Sequence, residues 1–444
     1  MASAIPLDLR ESIERQTGAV IADERPRGGG GASRQGAEVT LRSEGTERRC
    51  YLSWDTRDRK SRLPFFERET AVLEALSGPF ADSGVAVAPL VASEPAHLAL
   101  CSLFVAGQER FPDAPDKSAL ARDFLAQLAR LHALDAGHPA FAPLGDPREP
   151  PSAAIRRRLA ELAQTNLAGD ADPILQLALQ WLAANVPADR GPAVVLHGDA
   201  GPGNFLFDGS GVTALVDWEL THLGDPMEDL AQIWVRSLIQ PFVSMREVVA
   251  AYEVVSGTPV DIQRVKYHRL YFQLGFSVKG AAPAATGTAM LYGTMHRRII
   301  VESLAELTGR ALTAPALPEC RASERDPGYA MALEDLKAEV VPGLASQRAA
   351  TKAKALARMV KYWRARDRYG AAFDAAERHE IDDLLGAVHD GLPSARTAFG
   401  QAIASGAVSF APALELCHAR TVRETFLMAD AMGALATTRY EDIA

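Results

Sequence analysis

Three polar side chains suited to phosphoryl transfer lie close together in the chain. A His-Gly-Asp triplet ends at Asp199, Asn204 follows five residues later, and Asp217 follows thirteen residues after Asn204. Transfer of a phosphoryl group to a hydroxyl needs one carboxylate to orient the hydroxyl and accept its proton. It also needs an Asn oxygen and a second carboxylate to hold Mg²⁺ on the phosphates. This set of residue types favours phosphoryl-transfer chemistry.

The flanking pattern predicts the elements that position these residues. β-branched and apolar runs predict three short strands with a turn at Asp208-Gly209, and the strands are Val194–Leu196, Phe205–Phe207 and Val212–Val216. Asp199 and Asn204 then lie on a loop after one strand, and Asp217 lies at the end of a hairpin. Taken singly, Asp199 and Asn204 could equally be turn residues, because Asn and Asp favour such sites. Together, in this strand context, they favour a shared site.

Neighbouring residues are expected to support this loop. His197 is predicted to fix it through a hydrogen bond, and Glu219 is either a second group near the metal or a solvent-facing carboxylate. Asp225 before Pro226 has the form of a helix N-cap. Asp229 falls in the first turn of that helix, where the dipole favours an acid. Both aspartates are interpreted as scaffold.

The string HGDxxxGN…VDWELxHLGDPxEDLA resembles the aminoglycoside phosphotransferase and choline kinase-like family, over roughly residues 15–310. Its Asp-x4-Asn spacing matches the catalytic loop of protein kinases. The resemblance implies an α+β, two-lobed protein-kinase-like fold and an ATP-dependent kinase for small-molecule hydroxyls. It assigns Asp199 as catalytic base and Asn204 and Asp217 as Mg²⁺ ligands. His132 fits the family's preceding helix, where it is interpreted as an ordinary, partly buried residue.

Composition agrees with a globular enzyme. The chain has 444 residues, enough for two or three domains, with 48% hydrophobic and 23% charged residues. Neither a membrane-spanning run nor a signal peptide is predicted. Four scattered cysteines without a CxxC pair indicate free thiols and a cytoplasmic location. A net charge of −9 gives no support for nucleic-acid binding.

A glycine run opens the β pattern of the amino-terminal part. Backbone N–H groups of such a turn can approach phosphates without a Cβ in the way, so four residues are predicted to cover the nucleotide phosphates: Gly29, Gly30, Gly31 and Ser33. The alternative is a flexible link within a hairpin. The run is not a GxGxxG fingerprint and no βαβ unit follows, which argues against a dinucleotide-binding fold.

The resemblance also places the rest of the nucleotide site. It implies that Glu69 pairs with a strand lysine or arginine, but Ser53 stands where that cation is expected. Four nearby cations could substitute from a shifted register: Arg49, Arg57, Arg59 and Lys60. If none does, a nucleotide-binding scaffold without turnover becomes the alternative. The apolar segment Leu98–Val105 is predicted to be a strand. It resembles the hinge of the family, whose backbone groups contact the adenine edge, and Leu103 and Val105 are its candidate contacts.

A basic stretch bears on the substrate. Between Arg264 and Arg298 lie six Lys or Arg residues and no Asp or Glu. Kinases of polycationic antibiotics need acidic pockets, so this stretch favours an anionic acceptor, with a hydroxyacyl-CoA thioester as the preferred guess. A solvated basic helix face is the alternative. An antibiotic or amino-alcohol kinase is the rival enzyme.

The resemblance implies an N-lobe (1–105) and a catalytic C-lobe (106–310). Composition and helical periodicity then predict a proline-rich linker (311–327) and a helical accessory domain (328–444). The tail weakly resembles a helical domain that accompanies kinases near acyl-CoA dehydrogenase pathways. Eight basic residues lie between Arg348 and Arg368, with Tyr362 and Trp363 among them. They predict an amphipathic helix whose aromatics pack in the core, a second part of an anionic pocket, or, with less support, a nucleic-acid contact.

Overall fold

The computed structural model describes residues 5–27, 34–167, 172–279 and 287–443. The first part of the chain forms α1 (Leu7–Thr17), β1 (Val20–Arg27), β2 (Arg34–Ser43), β3 (Thr46–Asp55), α2 (Arg59–Ser77), β4 (Leu90–Glu94), β5 (Ala99–Leu103), α3 (Lys117–His132), α4 (Pro151–Leu167) and α5 (Pro173–Ala184). The middle part forms β6 (Val194–Leu196), β7 (Phe205–Asp208), β8 (Gly211–Leu215), β9 (His222–Gly224), α6 (Met227–Ser237), α7 (Met245–Ser256), α8 (Ile262–Lys279) and α9 (Gly287–Thr308). The last part forms α10 (Asp326–Asp335), the one-turn α11 (Val341–Gly343), α12 (Gln347–Leu385), α13 (Leu392–Ala404) and α14 (Phe410–Met432).

The chain divides into two compact units. Unit 1 comprises Met1–Ala154, Asp189–Val265 and Glu441–Ala444, and unit 2 comprises Ile155–Ala188 and Lys266–Tyr440. Within the described residues, no helix is long and apolar enough to cross a membrane.

Unit 1 contains a five-stranded antiparallel sheet in the order β1-β2-β3-β5-β4. Cys50, Leu52 and Trp54 of β3 alternate along the strand and are buried in the core under the sheet. Because successive strand residues point to opposite faces, Tyr51 and Ser53 lie on the other face of β3. That face borders the cavity described below.

The short strands around the predicted loop pair in two ribbons, β6 with β9 and β7 with β8. The β7–β8 turn is formed by Gly209 and Ser210, since Asp208 pairs with Gly211. The turn predicted at Asp208-Gly209 is therefore shifted by one residue, because the Asp208 side chain accepts a hydrogen bond from the Ser210 amide (2.7 Å). Asp225 accepts from the Met227 amide at the start of α6 (3.0 Å), as expected of a cap.

In unit 2, helices from before and after the proline-rich segment share one hydrophobic core. Its buried members include Leu177 on α5, Leu274 on α8, Ile300 on α9, Phe399 on α13 and Leu414 on α14. The boundaries of the compact units consequently differ from a division at residues 310 and 328. In this shared core, helices of the tail bury apolar side chains against α5, α8 and α9.

The long helix α12 runs without a break over 39 residues, from Gln347 to Leu385. The cap Ser346 precedes it, and Gly386 follows it with the left-handed φ of 63° favoured after helix ends. A glycine inside a helix costs about 1 kcal/mol relative to alanine. Gly370 is buried and packed against the Arg366 side chain, and this packing allows the helix to continue.

Candidate active site

The loop after β6 is anchored by a buried carboxylate on α6. Asp229 accepts hydrogen bonds from the backbone amides of His197 (2.9 Å) and Gly198 (2.8 Å). It also contacts His132 Nε2 at 3.0 Å, and His132 Nδ1 lies 2.7 Å from the Tyr252 hydroxyl. Burial alone would raise the pKa of Asp229, but the hydrogen bond and charge of His132 hold it below its ordinary value. His132, interpreted from sequence as an ordinary helix residue, thus supports the loop through Asp229.

His197 connects the loop to the segment that precedes Asp217. Its Nε2 lies 3.0 Å from the Val216 carbonyl oxygen, and its Nδ1 accepts from the Asp199 amide at 3.3 Å. Burial lowers the pKa of His197, so the ring is neutral, and a proton on Nε2 satisfies both contacts. The predicted loop-fixing hydrogen bond of His197 is present.

Asp199 and Asn204 are in direct contact. The Asn204 side chain donates to the Asp199 carbonyl (2.7 Å) and to Asp199 Oδ2 (2.8 Å), and Asn204 is buried. Between Asp199 and Asn204, two glycines adopt positive φ, Gly201 at 143° and Gly203 at 91°, which lets the chain turn back within five residues.

Asp217 follows β8 in a left-handed conformation with φ of 68° and ψ of 57°. Left-handed backbone is uncommon for a non-glycine residue, and such conformations cluster at functional sites. The side chain is accessible from the cavity. Partial burial in the cavity wall, together with the negative charges of Glu219 and Asp199, raises the pKa of Asp217. Glu219 forms an ion pair with Arg62 and is not a freely solvated carboxylate.

A cavity of about 1130 Å³ in unit 1 brings most of the predicted residues together. Its lining includes Glu69, Leu103, Val105, Asn204 and Asp217, and Asp199 adjoins it through its bond to Asn204. The four residues predicted to cover phosphates, Gly29, Gly30, Gly31 and Ser33, lie outside the described residues. Among the described residues, no three His, Cys, Asp or Glu side chains are grouped to hold a metal. Mg²⁺ does not require such a group, because it is commonly bound by one or two carboxylates, substrate phosphates and water.

The cation paired with Glu69 comes from an unexpected strand. Arg34, the first residue of β2, places Nη1 2.7 Å from Glu69 Oε2, and both side chains line the cavity. Burial raises the pKa of Glu69 to about 7, against the lowering effect of Arg34. Ser53 lies on the same face of the sheet, opposite Gly36 on β2.

Three of the four cations that could have substituted contact other groups instead. Arg49 pairs with Glu38, Arg57 pairs with Asp55, and Arg59 donates to the Pro95 carbonyl. Arg34 was missed because its position over Glu69 depends on strand pairing, which a single strand's pattern does not reveal.

Arg236, on α6, is a second residue that sequence reasoning missed. Its guanidinium contacts Asp199 Oδ2 (2.8 Å) and Asn204 Oδ1 (3.0 Å), and it lines the cavity. The only signal available in the sequence was its position in the third turn of α6, the helix that also carries Asp229 and whose residues are mostly buried.

The basic stretch between residues 264 and 298 is largely neutralised by acids from elsewhere in the chain. Arg264 pairs with Asp225 in unit 1. In unit 2, Lys266 and Arg269 pair with Glu306, Arg297 with Glu424, and Arg298 with Glu302. Lys266, Arg269 and Arg298 are at most 5% exposed, so a solvated helix face is also wrong for them. The charge pattern therefore does not indicate an anionic substrate.

The basic run in α12 is divided between ion pairs and solvent. Arg364 pairs with Asp326 and Arg366 with Asp374, while Arg348, Lys352 and Arg358 are exposed. The expectation that both aromatics pack in the core was wrong for Trp363, which is 44% exposed.

Comparison with known proteins identifies the family of the chain. Residues 35–265, more than half of the chain, match the model of the Phosphotransferase enzyme family. A solved structure from Ralstonia eutropha JMP134, assigned to the aminoglycoside phosphotransferases, aligns with a TM-score of 0.50 at 18% identity, covering 68% of this chain and 98% of that one. This likeness supports the fold alone, and the predicted α+β kinase-like fold is confirmed.

Two further proteins are similar over part of the chain. A macrolide 2′-phosphotransferase from Brachybacterium faecium aligns with a TM-score of 0.47 at 19% identity, covering 69% of this chain and all of that one (100%). Mouse acyl-CoA dehydrogenase family member 10 is 32% identical over 111 residues, which are 23% of this chain and 10% of that protein.

Proposed function

Because the chain belongs to the phosphotransferase enzyme family, we propose that Asp199, Asn204 and Asp217 form its catalytic centre. The protein is an ATP-dependent small-molecule kinase that uses Mg²⁺. The observation that carries the assignment is the direct contact of Asn204 with Asp199 on a loop anchored by Asp229, beside the cavity that Asp217 also lines.

Each side chain has a distinct role in this proposal. Asp199 Oδ2 is occupied by Asn204 and Arg236, so Oδ1 orients the acceptor hydroxyl and takes its proton. Asn204 Oδ1 and the Asp217 carboxylate would hold Mg²⁺, which neutralises charge on the phosphates when bound. Asp217 fits a cation, because Glu219 and Asp199 already disfavour its negative charge and a bound cation relieves that repulsion.

The cavity also fits a nucleotide. Leu103, the last residue of β5, and Val105, two residues further along the chain, both line it. Arg34, held by Glu69, supplies a cation for the nucleotide phosphates. In this proposal Arg34 takes the place of the cation that Ser53 lacks, which supports turnover over a scaffold without turnover.

Within this class of kinases, the proposed acceptor is the hydroxyl group of a hydroxyacyl-CoA-type thioester. The similarity to acyl-CoA dehydrogenase family member 10 supports it, although the match covers only 10% of that protein. The paired charges of residues 264–298 no longer favour this acceptor. An antibiotic or amino-alcohol acceptor is the competing class.

Substrate class is tested by Mg-ATP turnover against hydroxyacyl-CoA thioesters, free hydroxy acids, aminoglycosides and choline. The Asp217→Ala protein serves as the blank. We expect phosphorylation of thioesters alone. Transfer to an aminoglycoside or to choline would contradict the thioester proposal while supporting the kinase centre. Tight nucleotide binding without transfer to any acceptor would contradict the proposed centre itself.

The assignment of Arg34 as the cation for the nucleotide phosphates gives a second prediction, in which a lysine at position 53 replaces it. We expect Arg34→Ala to weaken ATP binding by about 10–100-fold, the effect of losing one hydrogen bond to a charged group. Arg34 and Ser53 are diagonal neighbours on one face of the β2–β3 pair, so Ser53→Lys in the Arg34→Ala background should recover much of the affinity. Calorimetric titration with Mg-ATP measures both. Unchanged affinity in Arg34→Ala would contradict the role of Arg34.

Arg34→Lys is the control for the buried Glu69, because it keeps a positive charge near that carboxylate. Thermal unfolding of all three variants separates loss of nucleotide contact from loss of folding, which matters because an unpaired buried carboxylate is itself destabilising.

A further inference from the structure

The catalytic loop is shaped to receive one arginine. Gly201 and Gly203 both lie against the Arg236 side chain: a Cβ on Gly201 would come within 2.9 Å of Arg236 Cδ, and one on Gly203 within 3.2 Å of Nη2. Any larger residue at Gly201 would push the arginine away. The two positive φ values of this loop therefore also make room for Arg236 beside Asp199.

The guanidinium is held in place independently of the catalytic residues. Arg236 Nε and Nη2 donate to the Pro202 carbonyl at 3.1 and 3.0 Å, and Nη2 lies 3.2 Å from Gln240 Oε1. These anchors fix the plane of the guanidinium at the wall of the cavity. The side chain retains 20% exposure, so it is open to a bound molecule.

The same guanidinium contacts both the proposed catalytic base and the proposed metal ligand. Nη1 donates to Asp199 Oδ2 (2.8 Å), next to the expected position of the acceptor hydroxyl. Nη2 donates to Asn204 Oδ1 (3.0 Å), the oxygen expected to bind the metal on the nucleotide phosphates. A cation between these two groups lies where charge accumulates during phosphoryl transfer.

A purely structural role does not account for this position. The loop is already fixed by Asp229, which takes two of its amides, and by His197, which ties it to Val216. Arginine carries five N–H donors in a planar fork suited to phosphate oxygens. Within the described part of the chain, Nη1 of Arg236 donates one hydrogen bond, to Asp199. The second N–H of Nη1 is therefore left for a ligand.

We propose that Arg236 is a catalytic residue that binds the phosphoryl group during its transfer. This inference rests on the proposed kinase centre. In the step, a bond forms between the acceptor oxygen and the γ-phosphorus, and the bond from that phosphorus to the bridging oxygen of ATP breaks. The bond electrons leave with ADP, and the hydroxyl proton passes to Asp199. Arg236 donates the second N–H of Nη1 to a transferring phosphoryl oxygen, and its positive charge stabilises the negative charge of the phosphoryl group.

Arg236→Ala and Arg236→Lys test the role, with Arg246→Ala as the control. Arg246 lies on α7, and its side chain is 66% exposed. We expect Arg236→Ala to lower kcat by about 10²–10³-fold, as found when one transition-state donor is removed, with acceptor KM and ATP Kd nearly unchanged. Arg236→Lys should recover only part of kcat, because lysine lacks the planar fork. Added guanidinium should partly restore turnover in Arg236→Ala and leave Arg246→Ala unaffected.

Each outcome is informative. A normal kcat in Arg236→Ala, with wild-type transfer established, overturns the inference and leaves the kinase centre intact. A lowered kcat accompanied by weaker ATP binding, an earlier thermal transition and no guanidinium rescue also overturns it, because that pattern describes a structural arginine. Absence of transfer in the wild-type protein would instead count against the proposed function.

Discussion

Replacing Asp199 with asparagine should remove all but a small residue of phosphoryl transfer while leaving the folded site in place. The asparagine side chain keeps an acceptor oxygen for Arg236 and is nearly isosteric with aspartate, so the contacts within 199–204 can persist. It cannot take the proton of the acceptor hydroxyl. General-base contributions of about 10²–10⁴-fold set the expected loss in kcat, with ATP affinity close to that of the wild type.

The experiment combines single-turnover transfer with calorimetric ATP binding and thermal unfolding. Asp208→Asn is a matched control, since Asp208 is an exposed aspartate at the end of β7 whose contact with Ser210 an amide oxygen can reproduce. Retained transfer in Asp199→Asn would force another assignment of the base. Loss of both transfer and ATP binding would show that the substitution damaged the site as a whole.

The residues close in sequence were the predictable ones. Asp199, Asn204 and Asp217 lie within nineteen positions of one another, and two short strand pairs set their geometry. Short β-branched and apolar runs bounded by turn residues indicate such strands. The resemblance to known kinases then assigned roles to these positions.

Residues whose roles depend on long-range pairing were not predictable in the same way. Arg236 contacts Asp199 across 37 positions because α6 packs its third turn against the loop. Arg34 reaches Glu69 only because β2 is in register with β3 and α2 lies over that face. Neither a hydrophobic period nor a motif spacing contains this information.

Charge patterns were the least reliable guide. The stretch 264–298 has no acid of its own, yet Arg297 meets Glu424 from 127 positions away, and Lys266 meets Glu306. A run of one charge along the chain therefore does not predict the electrostatic potential of the folded surface. Long side chains in helices find counter-charges from whichever helix packs beside them, and burial makes that pairing obligatory.

Removing the Asp217 carboxylate should eliminate the Mg²⁺ dependence of nucleotide binding as well as turnover. Asp217 is accessible from the cavity, and its negative charge is disfavoured by Glu219 and Asp199. A bound divalent cation reverses that repulsion, so the carboxylate is expected to be a major protein contribution to metal affinity. We expect Asp217→Ala to lower transfer by at least about 10³-fold, which corresponds to about 4 kcal/mol of transition-state stabilisation.

Glu219→Gln separates the metal site from general electrostatics, because it removes one negative charge two residues away. Its carboxylate is engaged by Arg62, so we expect a clearly smaller effect on Mg²⁺ dependence than in Asp217→Ala. ATP titrations at several Mg²⁺ concentrations measure both variants. Equal losses would indicate that the cavity's summed charge attracts the metal, and undiminished Mg²⁺ dependence in Asp217→Ala would contradict the assigned ligand. A loss confined to Asp217→Ala makes this left-handed residue the point where backbone strain positions a metal ligand.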